Sequence, residues 1–281
     1  MIVTLKDGST KEYDRPMSAY DIAKDISEGL ARVACVCEID GKVSDLRTII
    51  DKDSTLNILT FDSDEGKKAY RHTCSHVLAE AVKNLYPDAK MTIGPSIDNG
   101  FYYDFDMPPL TREDLDKIES EMKKIIKKGK KLEYFTLPRK EAIDLMEELG
   151  EPYKVELIEE LPEGETISFY RQGDFVELCA GPHLMSTKPI KAFKLTSSSG
   201  AYWRGDEHNK MLTRIYGTAF TKKSRFRRIP GVSGGHKKEG SQSSWKRNGF
   251  VHDGGCAWSG STAFHAKRNE NNSEAAAVDR G

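Results

Sequence analysis

The chain has 281 residues, of which 37% are hydrophobic and 31% charged, and its formal net charge is −1. This composition is typical of a globular protein with room for two modest domains, and it excludes a wholly disordered or fibrous chain. No apolar run reaches the roughly 18 residues of a membrane helix, and the alternating N-terminus is unlike a signal peptide, so we expect a cytoplasmic protein. Five cysteines without regular spacing favour free thiols.

Residues 1–61 predict a compact α+β unit. Residues 2–5 alternate apolar and polar side chains before a turn and a returning strand, which indicates a hairpin. Ser18 is expected to cap a helix, and strands are expected at 33–39 and 56–61. The order of strand, strand, helix and further strands is typical of a β-grasp fold.

Two details of this unit can be predicted from spacing. The helix is expected to bury one stripe formed by Ile22, Ile26 and Leu30. Cys35 and Cys37, two apart on a strand, are expected to point to one face and to pack in the core. A metal site is disfavoured, since no second cysteine pair follows.

A helical period then runs from Asp64 to Tyr86, where Pro87 ends it. His72 and His76 lie four residues apart on this helix and therefore share a face, with about 6 Å between their Cβ atoms. This spacing lets two imidazoles converge on one ligand or metal. Alone it is a weak signal, because two histidines on a helix are more often packed or solvated.

Cys179 and His183, in the segment FVELCAGPH, strengthen that signal. They follow a predicted strand, where a loop can direct them towards the histidine helix. Two histidines in one place and a cysteine plus a histidine in another make four groups of the zinc-ligand type. Together they predict one shared site.

The intervening sequence predicts a sheet backed by helices. The aromatic-rich stretch 91–106 contains Tyr102 and Tyr103, which could stack on a nucleotide base, although core packing is favoured. A long helix is expected from Thr111 to Gly129, and its lysine-rich face is either a solvated surface or a contact for a phosphate backbone. A shorter helix is expected to begin at Pro138. Strands are expected at 153–157, 166–170 and 175–178.

Composition changes near Lys223. Residues 224–281 carry more basic than acidic side chains, many Gly and Ser, and no apolar period, which predicts a disordered tail. The tail can be back-translated with degenerate codons and read again one base forward. In that frame Arg225 to Gly231 becomes compatible with DLEEYLE, and two later stretches become compatible with GKEMGLFMMEDAPG and LPFMPKGM. We therefore interpret the tail as the product of a frameshift in the gene.

Several long segments resemble the editing region of bacterial threonyl-tRNA synthetases: HTCSHVLAEAVKNLYPDAKMTIGPSIDNGFYYDFD, YKVEL, FVELCAGPH and SSSGAYWRGDEHNKMLTRIYGTAF. The preceding unit is similar to their TGS domain. The resemblance extends to about residue 223 and implies a TGS domain at 1–61 and an editing domain at 62–223, with the second additional domain within about 168–217. It also implies that no class II catalytic domain or ATP site is present, so we expect no aminoacylation.

By this resemblance, the chain hydrolyses serine that is wrongly esterified to threonine tRNA. The residues that the resemblance assigns to the catalytic site are His72, His76, Lys154, Glu177, Cys179 and His183, with Tyr103 holding the terminal adenosine. Cys179 as a nucleophile is the less favoured alternative. In alanyl-type relatives the same two histidines, cysteine and third histidine hold zinc, whereas threonyl relatives need no metal, so no cofactor is required and zinc stays open.

A second site that removes the smaller, wrong amino acid has a physical reason. Serine lacks only the methyl group of threonine, and one such group is worth about 1 to 3 kcal/mol, too little for faithful selection. The expected partner is threonine tRNA mischarged with serine, with no DNA and no membrane, and the oligomeric state stays open. Two other classes of function remain: a tRNA-binding module without turnover, and a non-functional product of a frameshifted gene.

Overall fold

The computed structural model describes residues 1–222 and residue 224, and it shows a mixed α+β protein. The elements of the N-terminal unit (residues 1–61) are β1 (Ile2–Leu5), β2 (Thr10–Glu12), β3 (Met17–Ser18), α1 (Ala19–Ile26), α2 (Glu28–Val33), β4 (Ala34–Ile39), β5 (Lys42–Ser44), β6 (Ile49–Ile50) and β7 (Ser54–Thr60). Its main sheet has the order β2-β1-β7-β4-β5, with β1 and β7 parallel and the other neighbours antiparallel. The β-grasp prediction is confirmed.

The helix predicted after Ser18 is two helices. α1 ends at Ile26 because Ser27 takes an extended backbone, and the Ser27 hydroxyl then accepts hydrogen bonds from the backbone N–H groups of Gly29 and Leu30 at 3.1 and 3.4 Å. The prediction of a single stripe through Leu30 is therefore wrong. Serine is favoured at the N-cap of a helix and disfavoured in its interior. Ser27 therefore ends α1 and caps α2.

Cys35 and Cys37 are both buried, as predicted, but they do not share a face. Cys37 packs in the core of the N-terminal unit, whereas Cys35 packs in the core that lies beneath the next helix. The register of β4 against β7 shifts between Ala34 and Val36. Such a bulge adds one residue to one strand and reverses the alternation of side chains beyond it.

The elements of the second unit (residues 62–222) are α3 (Asp64–Leu85), β8 (Lys90–Met91), β9 (Ser96–Ile97), β10 (Gly100–Asp106), α4 (Arg112–Lys128), β11 (Leu132–Leu137), α5 (Arg139–Glu148), α6 (Pro152–Glu159), β12 (Ile167–Gln172), β13 (Phe175–Leu178), β14 (Ala192–Tyr202), a 3₁₀ turn (Trp203–Gly205) and β15 (Met211–Phe220). One antiparallel sheet has the order β14-β15-β10-β8, with β9 also paired to β10, and a second has the order β11-β12-β13. α3 and α4 cover the first sheet, so the predicted helix-backed antiparallel sheet is confirmed.

The signals at the ends of α4 act as the sequence predicts. Thr111 and Asp114 form a capping box at its start, and Gly129 takes the left-handed conformation (φ 63°) at its end. α3 begins in a similar way, because the Ser63 hydroxyl accepts a hydrogen bond from Gly66 N at 3.0 Å. These caps fix where the two long helices begin and hence how their faces meet the sheet.

The strand predicted at 153–157 is wrong, because this segment lies in α6. Pro152 occupies the first helical turn, where the missing N–H has no intrahelical partner to lose. The buried residues of α6 are Lys154 and Ile158, four apart, and Glu156 midway between them is not buried, which fits a helix and not a strand. The apparent alternation of YKVEL was too short to separate the two.

No helix in the described part of the chain is long and apolar enough to span a membrane. The predicted disordered and frameshifted tail lies outside the described residues, apart from Ser224.

Candidate active site

The histidine helix, α3, is buried along most of its length. From Ala69 to Val82 every residue is buried, including the polar ones. Ser75 donates to the carbonyl oxygen of Gly94 at 2.6 Å, which ties α3 to the segment before β10. Gly94 is required there, because a Cβ atom would collide with the ring of Tyr103. The close approach of this segment brings the histidine face of α3 next to β10.

The second half of the site is carried by the hairpin β12-β13 and the segment that follows it. Cys179 is fixed just beyond β13, because its backbone N–H donates to Ser168 O at 3.0 Å and its carbonyl accepts from the Ser168 hydroxyl at 2.8 Å. His183 follows four residues later and is fully buried. The loop thus directs both side chains towards α3.

The two halves meet in one buried cluster of three imidazoles and a thiol. Each of His72, His76, Cys179 and His183 offers one donor atom, and these four atoms lie within 4.8 Å of one another. Cys179 Sγ is 3.5 Å from His72 Nε2 and 3.3 Å from His183 Nε2. The structure therefore brings together the four residues that the sequence groups only by type, across about a hundred positions of the chain.

The tautomer of His183 follows from its surroundings. The Thr73 hydroxyl donates to Ala69 O at 2.8 Å and accepts from Leu184 N at 3.0 Å, while His183 Nδ1 lies 3.2 Å from the same oxygen. Because the hydroxyl hydrogen is already used, His183 Nδ1 is the donor in this contact. The lone pair of His183 Nε2 is then free and faces Cys179.

His76 faces the Glu177 carboxylate. Its Nδ1 lies 3.5 Å from Glu177 Oε2, which is an electrostatic contact and not a hydrogen bond. Burial lowers the pKa of His76 to about 3 and the pKa of His183 well below its usual range. Both imidazoles are therefore neutral near pH 7, the form that binds a metal or accepts a proton.

Glu177 connects the cluster to the other predicted site residues. Its Oε1 accepts a hydrogen bond from the Tyr103 hydroxyl and lies 3.1 Å from the Lys154 ammonium. Burial alone would raise the pKa of Glu177, but the neighbouring His76 and Lys154 and the Tyr103 hydrogen bond outweigh it, so this pKa is lowered. The result is a buried, ionised carboxylate paired with a buried ammonium.

The structure places Tyr103 deeper than a base-stacking role needs. Its side chain is fully buried and stacks on Phe105 with 4.6 Å between ring centroids. The favoured core interpretation of this tyrosine is confirmed, and contact with a terminal adenosine stays a prediction. His208, which is not part of the cluster, has 86% of its side chain accessible and lies in a turn with Asp206.

The donor types of the cluster are those of a zinc site, and two of its contacts have the spacing of tetrahedral ligands. With Zn–N near 2.0 Å and Zn–S near 2.3 Å, tetrahedral ligands lie about 3.3 to 3.6 Å apart, and the two Cys179 contacts at 3.3 and 3.5 Å fall in this range. Metal-bound histidines donate their second N–H to an outer partner, as His183 does to Thr73. His72, His76, Cys179 and His183 could therefore hold zinc.

Sequence reasoning missed the polar partners that orient the cluster. Thr73 lies beside His72 in the sequence, but nothing in its spacing distinguishes it from a core threonine. Tyr170, on β12, packs edge-on against His183 with 4.4 Å between ring centroids. The sequence does not show that an aromatic residue on a strand faces the site until the register of the hairpin is known.

Comparison with known proteins places both units in described families. Residues 1–60 match the TGS domain, and residues 167–216 match the threonyl and alanyl tRNA synthetase second additional domain. Similar relatives are the threonine--tRNA ligases of Acetivibrio thermocellus, 66% identical over 223 residues, of Clostridium perfringens, 63% over 223, and of Clostridioides difficile, 61% over 221. These alignments cover 78 to 79% of this chain and 34 to 35% of the relatives.

The chain thus combines a TGS domain with an aminoacyl-tRNA synthetase editing domain. The relatives define the kind more closely: the aligned residues correspond to the N-terminal region of a threonyl-tRNA synthetase, and the predicted resemblance is confirmed. The chain spans about a third of the length of the curated relatives that it matches.

Proposed function

We propose that this chain hydrolyses serine mis-esterified to threonine tRNA. The TGS domain at 1–61 and the editing domain at 62–223 would form one catalytic unit that works in the cytoplasm on RNA. The observation that carries this proposal is the buried cluster of three histidines and a cysteine beside a buried Lys154–Glu177 ion pair. Groups with perturbed pKa values that converge in this way are typical of catalytic sites.

The chemistry needs a water molecule and a place for negative charge. In this proposal an Nε2 lone pair of His76 or His183 accepts a proton from the attacking water, because burial keeps these imidazoles neutral. The Lys154 ammonium, 97% buried, supplies positive charge for the developing oxyanion in surroundings where water screens little. Glu177 holds that ammonium in position. If zinc were bound by the four residues, it would take up these lone pairs, and it would activate the water as a Lewis acid in place of the histidine base.

Selection of serine over threonine follows from tight packing. Every residue of the cluster is buried, and the surrounding rings leave little freedom for rearrangement. A closely packed site of this kind admits the smaller side chain and rejects an extra methyl group, which completes a double sieve.

The first experiment follows the release of labelled serine from Ser-tRNA of threonine specificity. His72→Ala and His76→Ala are expected to reduce the rate at least about 100-fold, since general-base catalysis contributes about 10² to 10⁴. His208→Ala is the matched control, because it removes an exposed histidine outside the cluster.

Three outcomes can be separated. Loss in the two helix variants alone supports the proposal. Equal loss in His208→Ala would contradict it. If the wild-type chain releases serine no faster than buffer, the proposal is wrong, and salt-dependent tRNA binding without release would then identify a binding module.

A further inference from the structure

A loop of the N-terminal unit reaches the segment that carries His183. This support loop is defined as residues 45–48, between β5 and β6. Asp45 Oδ2 accepts a hydrogen bond from the backbone N–H of His183 at 3.2 Å and another from the Tyr170 hydroxyl at 2.9 Å. A carboxylate more than 130 residues away in sequence thus fixes one side of the His183 backbone.

Arg47 fixes the other side. Its guanidinium donates to the carbonyl oxygens of His183 at 3.3 Å, Leu184 at 2.9 Å and Leu132 at 2.9 Å. It also forms an ion pair with Asp45 at 2.8 Å. A planar guanidinium can satisfy several acceptors at once in fixed directions, which an ammonium cannot do. The N–H and the C=O of His183 are therefore both held by the N-terminal unit.

The Asp45 contact also orients the ring that packs on His183. Burial raises the pKa of Tyr170 above its usual range, so the hydroxyl is a neutral donor to Asp45. The Tyr170 ring lies edge-on to the His183 imidazole, and Gly181, at φ 75°, brings the backbone so close to Tyr170 that a Cβ atom would collide with its hydroxyl. Tyr170 and His183 are thus oriented by one carboxylate.

The support loop is itself firmly held. Leu46 is fully buried in the core of the N-terminal unit, and its carbonyl accepts from Tyr20 N at 2.9 Å. Thr48 N donates to Asp45 O at 3.0 Å, which closes the loop. In return, Met185 of the second unit packs against the N-terminal core. A loop anchored at several points can hold a catalytic segment within the narrow tolerance that chemistry requires.

We propose that Asp45 and Arg47 are positioning residues of the editing site, so that the TGS domain sets the geometry of His183 and Cys179. This inference rests on the proposed function, since it assigns a role within the same site. The competing possibility is that the two residues only attach one unit to the other. Attachment alone would affect stability, whereas positioning would affect the chemical step and the exposure of Cys179.

The test uses the full chain with Asp45→Asn, Arg47→Met and Arg47→Lys. Asp45→Asn keeps the size of the side chain and removes an acceptor. Asp25→Asn is the matched control, because Asp25 pairs with Lys11 in an exposed part of the same unit. Single-turnover serine release gives the rate constant and the half-saturating protein concentration. Alkylation of Cys179 by iodoacetamide, followed by peptide mass spectrometry, reports on the loop without any need for turnover.

We expect Asp45→Asn and Arg47→Met to lower the rate constant about 10- to 100-fold, as outer partners of catalytic groups do. The half-saturating concentration should stay within about twofold, and alkylation of Cys179, now 3% exposed, should rise about tenfold. Arg47→Lys should fall between wild type and Arg47→Met. Asp25→Asn should match wild type in every measurement.

Unchanged rate constants and unchanged Cys179 alkylation in Asp45→Asn would overturn the positioning role. A change in half-saturating concentration alone would overturn it as well. If Arg47→Met fails to fold, Asp45→Asn decides the matter. If the wild-type chain does not release serine, the proposed function fails, whereas Cys179 alkylation still shows whether the N-terminal unit holds the loop.

Discussion

α3 and α4 pack against each other over the same sheet, yet they treat polar side chains in opposite ways. The polar side chains of α4 lie mostly at the surface and pair with neighbours three or four residues away, as Arg112 does with Asp116 at 2.9 Å. The buried polar residues of α3 are Arg71, His72, Thr73, Ser75, His76 and Glu80. Of the two helices, α3 thus buries six polar side chains, whereas α4 buries one, Glu119.

This difference distinguishes a helix that only packs from the helix that carries the candidate site. A buried polar group costs free energy unless it is hydrogen-bonded, so a helix that exists only to pack has little reason to bury several. The polar groups of α3 meet partners from the second hairpin and its following loop, such as Glu177 with His76 and Cys179 with His72. α4 supplies an amphipathic surface, and α3 supplies a site.

The largest expected effect comes from Glu80, one turn beyond His76. Glu80 accepts hydrogen bonds from Lys130 Nζ at 2.6 Å and from Gln172 Nε2. Glu80→Ala leaves both donors without this acceptor and should lower the free energy of unfolding by about 3 kcal/mol, measured by urea denaturation. Asp116→Ala on α4 is the control and should cost no more than about 0.5 kcal/mol. Equal losses would break the contrast between the helices.

Two hydroxyls offer a closer comparison. Thr73 on α3 and Ser120 on α4 each donate to the carbonyl four residues earlier, both at 2.8 Å. Thr73→Val also removes the acceptor of Leu184 N and should cost about 2 kcal/mol, because a buried N–H loses its partner. Ser120→Ala lies at the surface and should change the free energy of unfolding by less than about 0.5 kcal/mol. A costly Ser120→Ala would contradict this reasoning.

The cap of α4 comes next. Thr111→Ala removes the side-chain acceptor for Asp114 N, at 3.2 Å, and should lower the free energy of unfolding by about 1 kcal/mol. Urea midpoints of the variant and the wild type give this value. The release of serine should be unaffected, because the cap lies outside the site. A variant with normal stability would show that the capping box adds nothing to α4.

The smallest expected effect is a pH dependence of the stability that Asp114 contributes at the same cap. Hydrogen bonds from the Thr111 side chain and backbone lower the pKa of Asp114 from 3.8 to about 2. A lowered folded-state pKa means that the ionised carboxylate stabilises the fold above about pH 4 and loses this effect as the pH falls through about 2. The stability difference between wild type and Asp114→Ala should therefore shrink between pH 4 and pH 2. A difference that stays constant would contradict it.

Local signals predicted much of this architecture. The caps at Thr111 and Gly129 and the helix that ends before Pro87 lie where short-range chemistry places them. The errors at Ser27 and at 153–157 also have local causes. In the first a good cap residue interrupts a continuous apolar stripe, and in the second five residues are too few to separate two periods.

The candidate site also has a part that the sequence predicts and a part that it does not. The residue types of His72, His76, Cys179 and His183 suggest one site, but only the fold shows that their donor atoms meet. The contacts of Asp45 and Arg47 with the His183 segment were beyond sequence reasoning, because they depend on how two units pack. Spacing within one helix or strand can be read from a sequence, whereas contacts across more than a hundred residues need coordinates.

The most direct test of the central claim compares two substrates on the unmodified chain. Threonine tRNA is charged with labelled serine or with labelled threonine, and the release of each amino acid is timed under single-turnover conditions. We predict that serine is released at least about tenfold faster than threonine, as expected for a site that senses one methyl group. Equal rates for the two esters, or no release above the spontaneous rate, would contradict the assignment of an editing site.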